Sequence, residues 1–189
     1  MNSISITSKQ INLVTGASRS GKSEWAENLA TKSAKSIVYV ATAIVDPADR
    51  EWQGRIMKHQ QRRPKTWETI VASRELTTTI DRAKTSECLL IDSLGTWVAN
   101  LLDLDSDAWQ EITNDLLTSL QTSKADTILV GEETGWGVIP AYKPGRVFRD
   151  RLGHLLRQVG SIADIVYLVT GGHALNLSML GESLSKSKL

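Results

Sequence analysis

The chain has 189 residues, the length of one ordinary domain, and 41% of them are hydrophobic, which is enough for a full core. Its 22 basic and 21 acidic residues nearly balance, which argues against nucleic acid or a membrane surface as a partner. The chain has a lone cysteine, Cys88, which excludes a disulfide framework. No apolar stretch reaches the ~20 residues of a membrane span, and polar residues 1–10 lack the apolar core of a signal peptide. We therefore expect a cytoplasmic protein.

The first predicted elements are an apolar strand over residues 11–15, a glycine-rich loop and a helix over 24–34. The loop, Gly16-Ala17-Ser18-Arg19-Ser20-Gly21-Lys22-Ser23, matches the phosphate-binding pattern G-x-x-x-x-G-K-[ST]. Its glycines let the backbone fold around an anion, and its amides and the helix N-terminus point at phosphate oxygens. Lys22 is expected to reach the β- and γ-phosphates, and the Ser23 hydroxyl to bind Mg²⁺. The competing interpretation is an ordinary glycine turn.

Apolar runs and helix formers alternate along the rest of the chain. In order, they predict strand 36–42, helix 46–63, strand 66–71, helix 75–84, strand 88–92, helices 96–102 and 108–122, strand 127–131, helix 147–162 and strand 164–170. Short apolar runs that are mostly followed by helices indicate parallel strands covered on both faces. We therefore expect one α/β domain over 11–170, P-loop NTPase-like, with a mostly parallel sheet and helices on both faces. Residues 1–10 are assigned to a polar extension and 171–189 to a tail.

Polar residues lie at the ends of three of the predicted strands, at the carboxyl edge where such sheets bind ligands. They are Thr42, Asp92 and Glu132. Asp92 closes an apolar strand, as expected of a carboxylate that holds Mg²⁺ or its water or orients an attacking hydroxyl. The competing interpretation is that Asp92 caps the following helix. Glu132 is a weaker candidate of the same kind.

His59 lies on the inward face of the predicted helix 46–63, seven residues after Trp52 and three after Ile56. A histidine packed in the core is one interpretation. The other is a nucleophile, because a neutral imidazole can attack phosphorus while neighbouring cations stabilise the charge on its oxygens. Those cations are Arg55, Lys58, Arg62 and Arg63. His154, His173 and Cys88 are expected to be structural.

Five segments of the chain, taken together and in this order, form a pattern that is specific to one protein family. They are the phosphate loop; Tyr39-Val40-Ala41-Thr42; Arg55-Ile56-Met57-Lys58-His59 with Arg63-Pro64 and Trp67; Leu90-Ile91-Asp92-Ser93-Leu94 with Asn100-Leu101-Leu102; and Glu133-Thr134-Gly135-Trp136-Gly137-Val138-Ile139-Pro140 with Phe148-Arg149-Asp150 and Gly153. Together they resemble the bifunctional adenosylcobinamide kinase / adenosylcobinamide-phosphate guanylyltransferase family of cobalamin assembly, over about residues 11–169. The chain departs from the family pattern at Ala17, Val71, Ala141 and 154–158.

The resemblance implies two reactions. A nucleoside triphosphate, ATP or GTP, phosphorylates the aminopropanol hydroxyl of adenosylcobinamide, and GTP then guanylylates a histidine that passes GMP to the cobinamide phosphate. His59 matches that histidine, with Lys22 and Asp92 as the other catalytic residues and Ser23 and Asp92 as the Mg²⁺ ligands. The implied nucleotide contacts beyond the loop are Ala41, Thr42, Ala43, Gln60, Gln61, Arg62, Arg63 and Asp92. The resemblance also implies a homotrimer.

Two other functions stay open at this point. One is a small-molecule kinase on the same fold, in which His59 is structural. The other is a nucleotide-binding module without chemistry that acts through partners. Intact Lys22, Ser23, Asp92 and His59 argue against the second, and His59 with its arginine-rich surroundings argues against the first.

Overall fold

A computed structural model describes residues 9–44, 48, 54, 57 and 63–184. Its helices and strands follow the predicted alternation. In chain order they are β1 (Ile11–Gly16), α1 (Lys22–Thr31), β2 (Ser36–Ala41), β3 (Glu68–Val71), α2 (Leu76–Asp81), β4 (Glu87–Asp92), α3 (Leu94–Ala99), α4 (Ser106–Thr122), β5 (Asp126–Glu132), α5 (Lys143–Ile162), β6 (Ile165–Thr170), β7 (His173–Asn176) and α6 (Leu177–Leu180).

The seven strands form one sheet in the order β3-β2-β4-β5-β1-β6-β7. Strands β1 to β6 run parallel, and β7 pairs antiparallel with β6. The register places Gly16 beside Glu132 and Ala41 beside Asp92. Four neighbouring strands, β2, β4, β5 and β1, therefore end together, and the residues that follow them share one edge of the sheet.

The core lies on both faces of the sheet, as the long apolar runs of the strands require. Side chains of β4 alternate between the two faces: Leu90 packs with α1, whereas Leu89 and Ile91 pack with the helices of the opposite face. The α1 face is centred on Val14, Ala26, Ala30, Tyr39 and Val130. The other face contains Trp97, Leu116, Leu120, Leu155 and Val159 from α3, α4 and α5. The predicted mostly parallel sheet with helices on both faces is confirmed.

Four helices begin earlier than the sequence predicts: α1 and α4 by two residues each, and α3 and α5 for reasons that the structure shows. Helix α3 starts at Leu94 because the Ser93 side chain accepts from the Thr96 backbone N–H and caps it. Helix α5 starts at Lys143, and Pro144 in its first turn suits that position because an N-terminal N–H needs no partner within the helix. The predicted helix 46–63 lies largely outside the described residues.

Strand β7 and helix α6 were not predicted, since residues 171–189 were assigned to a tail. The turn before β7 consists of Gly171 and Gly172, at φ 56° and 77°, values that glycine adopts without strain. Four residues of β7 then pair with β6. A strand this short carries too few apolar positions for a period-two pattern to stand out in the sequence.

Among the described helices, none combines the length and the apolar character needed to cross a membrane.

Candidate active site

The glycine loop between β1 and α1 has a backbone that few other residues would allow. A Cβ at Gly16 would lie 2.5 Å from the Val169 carbonyl oxygen and 2.6 Å from Ser20 Oγ, closer than real contacts permit. Gly21, at φ 96°, precedes the first residue of α1 in the left-handed region, and Arg19 has φ 61°. The sequence therefore builds a tight loop that leads directly into a helix N-terminus, which is the geometry that binds phosphate.

One polar atom of this loop fits an anion. Ser20 Oγ is buried and has no hydrogen-bond partner among the described residues. A buried hydroxyl without a partner is costly, and a phosphate oxygen at the loop would accept its hydrogen bond. Ala17, Ser18 and Arg19 are exposed at the tip of the loop.

Lys22 is held beneath the loop. It is buried, its Nζ donates to the Ala17 carbonyl oxygen at 3.3 Å, and the same atom lies 4.0 Å from Glu132 Oε1. The ammonium group is therefore already directed at the loop, between a backbone oxygen and a carboxylate. A triphosphate would offer Lys22 stronger, charged acceptors in place of that carbonyl.

Glu132 connects the loop to the start of α3. Its Oε2 accepts the Gly95 N–H at 3.0 Å, while Oε1 faces Lys22. Burial raises the pKa of the Glu132 carboxyl above its ordinary value, against the lowering effect of Lys22. A Cβ at Gly95 would overlap Glu132 Oε2, so glycine at this position leaves room for the carboxylate.

Asp92 lies at the end of β4, and Tyr39 holds its carboxylate. The Tyr39 hydroxyl donates to Asp92 Oδ2 at 3.1 Å. Asp92 and the Ser23 hydroxyl at the first turn of α1 are hard oxygen donors, the type that Mg²⁺ prefers. In the described part of the chain, no group of three or more His, Cys, Asp or Glu side chains could hold a metal. The residues present therefore fit Mg²⁺ bound by one or two protein groups together with substrate phosphates.

Thr42 is tied to the loop between β4 and α3. It is fully buried, and its hydroxyl donates to the Ser93 carbonyl oxygen at 2.7 Å and accepts the Ser93 N–H at 2.9 Å. The Thr42 carbonyl oxygen accepts from Asn100 Nδ2 at 2.8 Å. Thr42 thus fixes the end of β2 against the end of β4, with half-buried Ala41 and Ala43 on either side. Direct contact of these three residues with nucleotide stays a prediction.

Arg63 packs on the α1 face of the sheet, against Tyr39. Its Cζ is 3.2 Å from the centroid of the Tyr39 ring, and its Nε is 3.8 Å from Glu27 Oε1. Of the predicted nucleotide contacts in this segment, Arg63 alone is described. His59, Gln60, Gln61 and Arg62 lie outside the described residues.

The structure thus brings together the glycine loop, Lys22, Asp92 and Arg63, all of which were predicted from sequence. Sequence reasoning missed the role of Tyr39, which bridges Asp92 and Arg63, and that of Asn100, which also donates to the Ser73 carbonyl oxygen at 2.9 Å. Tyr39 did give a signal, as the one residue of the β2 run Ile37-Val38-Tyr39-Val40 that carries a hydroxyl. Asn100 is marked only as part of the family resemblance, with no role assigned to its side chain.

Known proteins resemble this chain over most of its length. The family model described as "Cobinamide kinase / cobinamide phosphate guanyltransferase" matches residues 12–177. The chain is 35% identical over 174 residues to the bifunctional adenosylcobalamin biosynthesis protein CobP of Pseudomonas aeruginosa, covering 91% of this chain and 98% of that one. It is 35% identical over 175 residues to the bifunctional adenosylcobalamin biosynthesis protein CobU of Escherichia coli K12, covering 85% and 95%.

Solved structures share the fold at low identity. A Pyrococcus horikoshii OT3 protein, PH0250, superposes with a TM-score of 0.55 at 7% identity, covering 89% of this chain and 85% of that one. A prototypical ATPase of a bacterial type III secretion system gives a TM-score of 0.54 at 13% identity, covering 94% and 59%. These likenesses bear on the fold alone.

Proposed function

The chain belongs to the cobinamide kinase / cobinamide phosphate guanyltransferase family, and on that premise we propose that it catalyses both reactions. In the first, the aminopropanol hydroxyl of adenosylcobinamide takes the γ-phosphoryl group of ATP or GTP. In the second, GTP delivers GMP to the cobinamide phosphate, and adenosyl-GDP-cobinamide and pyrophosphate are released.

The observation that carries the phosphoryl transfer is the convergence of the glycine loop, Lys22 and Asp92 at one edge of the sheet. In this proposal the loop amides and Lys22 bind the triphosphate, and Lys22 balances charge on its outer oxygens. Asp92 orients the attacking hydroxyl or a ligand of the metal. Mg²⁺, held by Ser23 and Asp92 together with the phosphates, would neutralise negative charge on the transferred group.

For the guanylyl transfer, His59 is the proposed nucleophile. Its imidazole attacks the α-phosphorus of GTP, pyrophosphate leaves, and the labile P–N bond then yields GMP to the cobinamide phosphate. Arg63, with Gln60, Gln61 and Arg62, is proposed to bind the nucleotide. Support comes from the position of Arg63, which lies against Tyr39 and thus near Asp92 and the loop.

We also propose a homotrimer that works in the cytoplasm. Two clusters of exposed apolar side chains support an assembled state: Trp136, Val138, Ile139 and Tyr142 before α5, and Met179 and Leu180 in α6. Exposed apolar surface often marks a site of interaction with another protein chain. Sedimentation velocity should give three chains per particle, and a monomer at micromolar concentration would rule the trimer out.

The first experiment compares Lys22→Ala with Lys32→Ala, an exposed lysine at the end of α1 that serves as the control. Phosphorylation of adenosylcobinamide by γ-labelled nucleotide is measured in both. Because Lys22→Ala removes the cation that is directed at the triphosphate, we expect it to lower the rate by about 10²–10³-fold. Lys32→Ala should leave the rate unchanged. Guanylyl transfer should fall with it. A Lys22→Ala protein as active as the wild type would refute the assignment, and a wild type that binds nucleotide without turnover would indicate a silent binding module.

A further inference from the structure

Tyr39 lies between two predicted functional residues of this site and contacts both through different atoms. Its side chain is 4% exposed, its hydroxyl donates to Asp92 Oδ2 at 3.1 Å, and its ring face carries the Arg63 guanidinium at 3.2 Å. Asp92 is the proposed metal and orienting carboxylate, and Arg63 is a proposed nucleotide contact. One buried side chain thus holds a group from each proposed half-reaction.

The hydroxyl fixes the rotation of the Asp92 carboxylate. The terminal torsion of an aspartate is broad and roughly two-fold, so an unheld carboxylate samples many orientations. A donor on one oxygen selects among them. Burial, with the charge of Asp92, raises the pKa of the Tyr39 hydroxyl above its ordinary value.

The ring fixes the plane of the Arg63 guanidinium. A guanidinium stacks on an aromatic face by cation–π attraction, and this sets its orientation. The Arg63 side chain is 9% exposed, and Glu27 Oε1 lies 3.8 Å from its Nε. Arg63 is therefore held between the Tyr39 ring and the Glu27 carboxylate rather than extending into solvent.

We propose that Tyr39 is a positioning residue for both half-reactions: its hydroxyl acts through Asp92 on phosphoryl transfer, and its ring acts through Arg63 on guanylyl transfer. This inference rests on the proposed function. It makes the two effects separable, because Tyr39→Phe removes the hydroxyl and keeps the ring, whereas Tyr39→Leu removes both.

The test measures each half-reaction separately in the two variants. Loss of a group that orients a catalytic residue costs activity about 10–100-fold, so Tyr39→Phe should lower kcat of phosphorylation and raise the Mg²⁺ concentration at half-maximal rate by such a factor. The rate at which α-labelled GTP labels the protein should fall by a smaller factor than the phosphorylation rate in Tyr39→Phe, and about tenfold or more in Tyr39→Leu.

Two further variants distinguish positioning from a structural role. Tyr167→Phe is the matched control, since Tyr167 also packs on the α1 face, with its ring 5.6 Å from that of Trp25, and should leave both rates unchanged. In an Asp92→Ala background, which leaves the Tyr39 hydroxyl no acceptor at this position, Tyr39→Phe should add no further loss of phosphorylation, because the two residues act as one unit.

Equal losses of both half-reactions in Tyr39→Phe, with a lowered melting temperature, would mean that Tyr39 is structural and overturn the proposal. So would a Tyr39→Phe protein with wild-type phosphorylation and Mg²⁺ dependence, or additive losses with Asp92→Ala. A wild type that shows neither half-reaction would refute the proposed function itself, and with it this role.

Discussion

At the scale of single residues, Glu132 shows how the site holds a half-buried carboxyl group. The carboxylate faces Lys22 with one oxygen and the Gly95 N–H with the other. Even so, burial raises its pKa, which means that the ionised form is less stable in the folded protein than in the unfolded chain. The folded state therefore binds this proton more tightly, and the pH dependence of stability takes its sign from that difference.

We predict that the stabilisation linked to Glu132 is full below the ordinary glutamate pKa of about 4.3 and is lost as pH rises towards the raised value in the folded protein. Glu132→Gln cannot titrate. As pH rises through this window, the free energy of unfolding of the wild type should therefore fall relative to that of Glu132→Gln. Urea unfolding across the pH range measures the difference, with Glu111→Gln on the exposed face of α4 as control. A wild-type-minus-variant difference that stays constant with pH would contradict the prediction.

Individual residues differ in how far the sequence determines their role. Gly16, Gly21 and Lys22 belong to a continuous motif, so their position follows from eight adjacent letters. The contacts of Tyr39 with Asp92 and Arg63 join residues from three distant parts of the chain. No local pattern encodes such a contact, because it depends on strand order and register.

At the scale of elements, the short helix α3 connects the ends of several strands. Ser93 caps it, the Gly95 N–H donates to Glu132 Oε2, and Asn100 at its end donates to the carbonyl oxygens of Thr42 and Ser73. It therefore fastens the ends of β2, β4 and β5 to one another. Asp92 precedes the N-cap residue of this helix, so its position depends on those contacts.

We predict that Gly95→Ala destabilises the fold by about 1–3 kcal/mol, because the new Cβ overlaps the Glu132 carboxylate, which must then give up the Gly95 N–H and its place beside Lys22. The matched control is Gly153→Ala in α5, where nothing lies within 4 Å of the added Cβ. That change should stabilise the protein by about 0.5–1 kcal/mol, since alanine is the better helix former. Chemical denaturation measures both, and a Gly95→Ala protein as stable as Gly153→Ala would show that Glu132 does not occupy this space.

The type and order of the elements could be predicted better than their ends. Strands β2, β4 and β5 are buried on both faces, so their apolar runs are plain in the sequence. The starts of α3 and α5 were placed late, because a cap at Ser93 and a proline in the first turn outweigh the apolar periodicity there. Strand β7 was not predicted because it forms by pairing with β6, a contact that the local sequence does not encode.

The sheet order explains, at the scale of the whole molecule, why distant motifs form one site. Because β1 lies beside β5 and β2 beside β4, the glycine loop, Glu132, Asp92 and Thr42 reach the same edge although up to 116 residues separate them in sequence. The expected edge and the family resemblance followed from the order of the motifs, and the family match confirms the resemblance. The strand order itself could not be read from the sequence, since α/β chains with similar patterns adopt several orders.

The central claim is that this chain transfers GMP through a covalent bond to His59. Its most direct test is incubation of the purified protein with Mg²⁺ and α-labelled GTP, followed by denaturation and peptide mapping. We predict label that is labile to acid and stable to alkali, carried by the peptide that contains His59. The His59→Ala protein should take up no label, while it keeps some phosphorylation of adenosylcobinamide. Label in His59→Ala, or an unlabelled wild type that still binds GTP, would contradict the account.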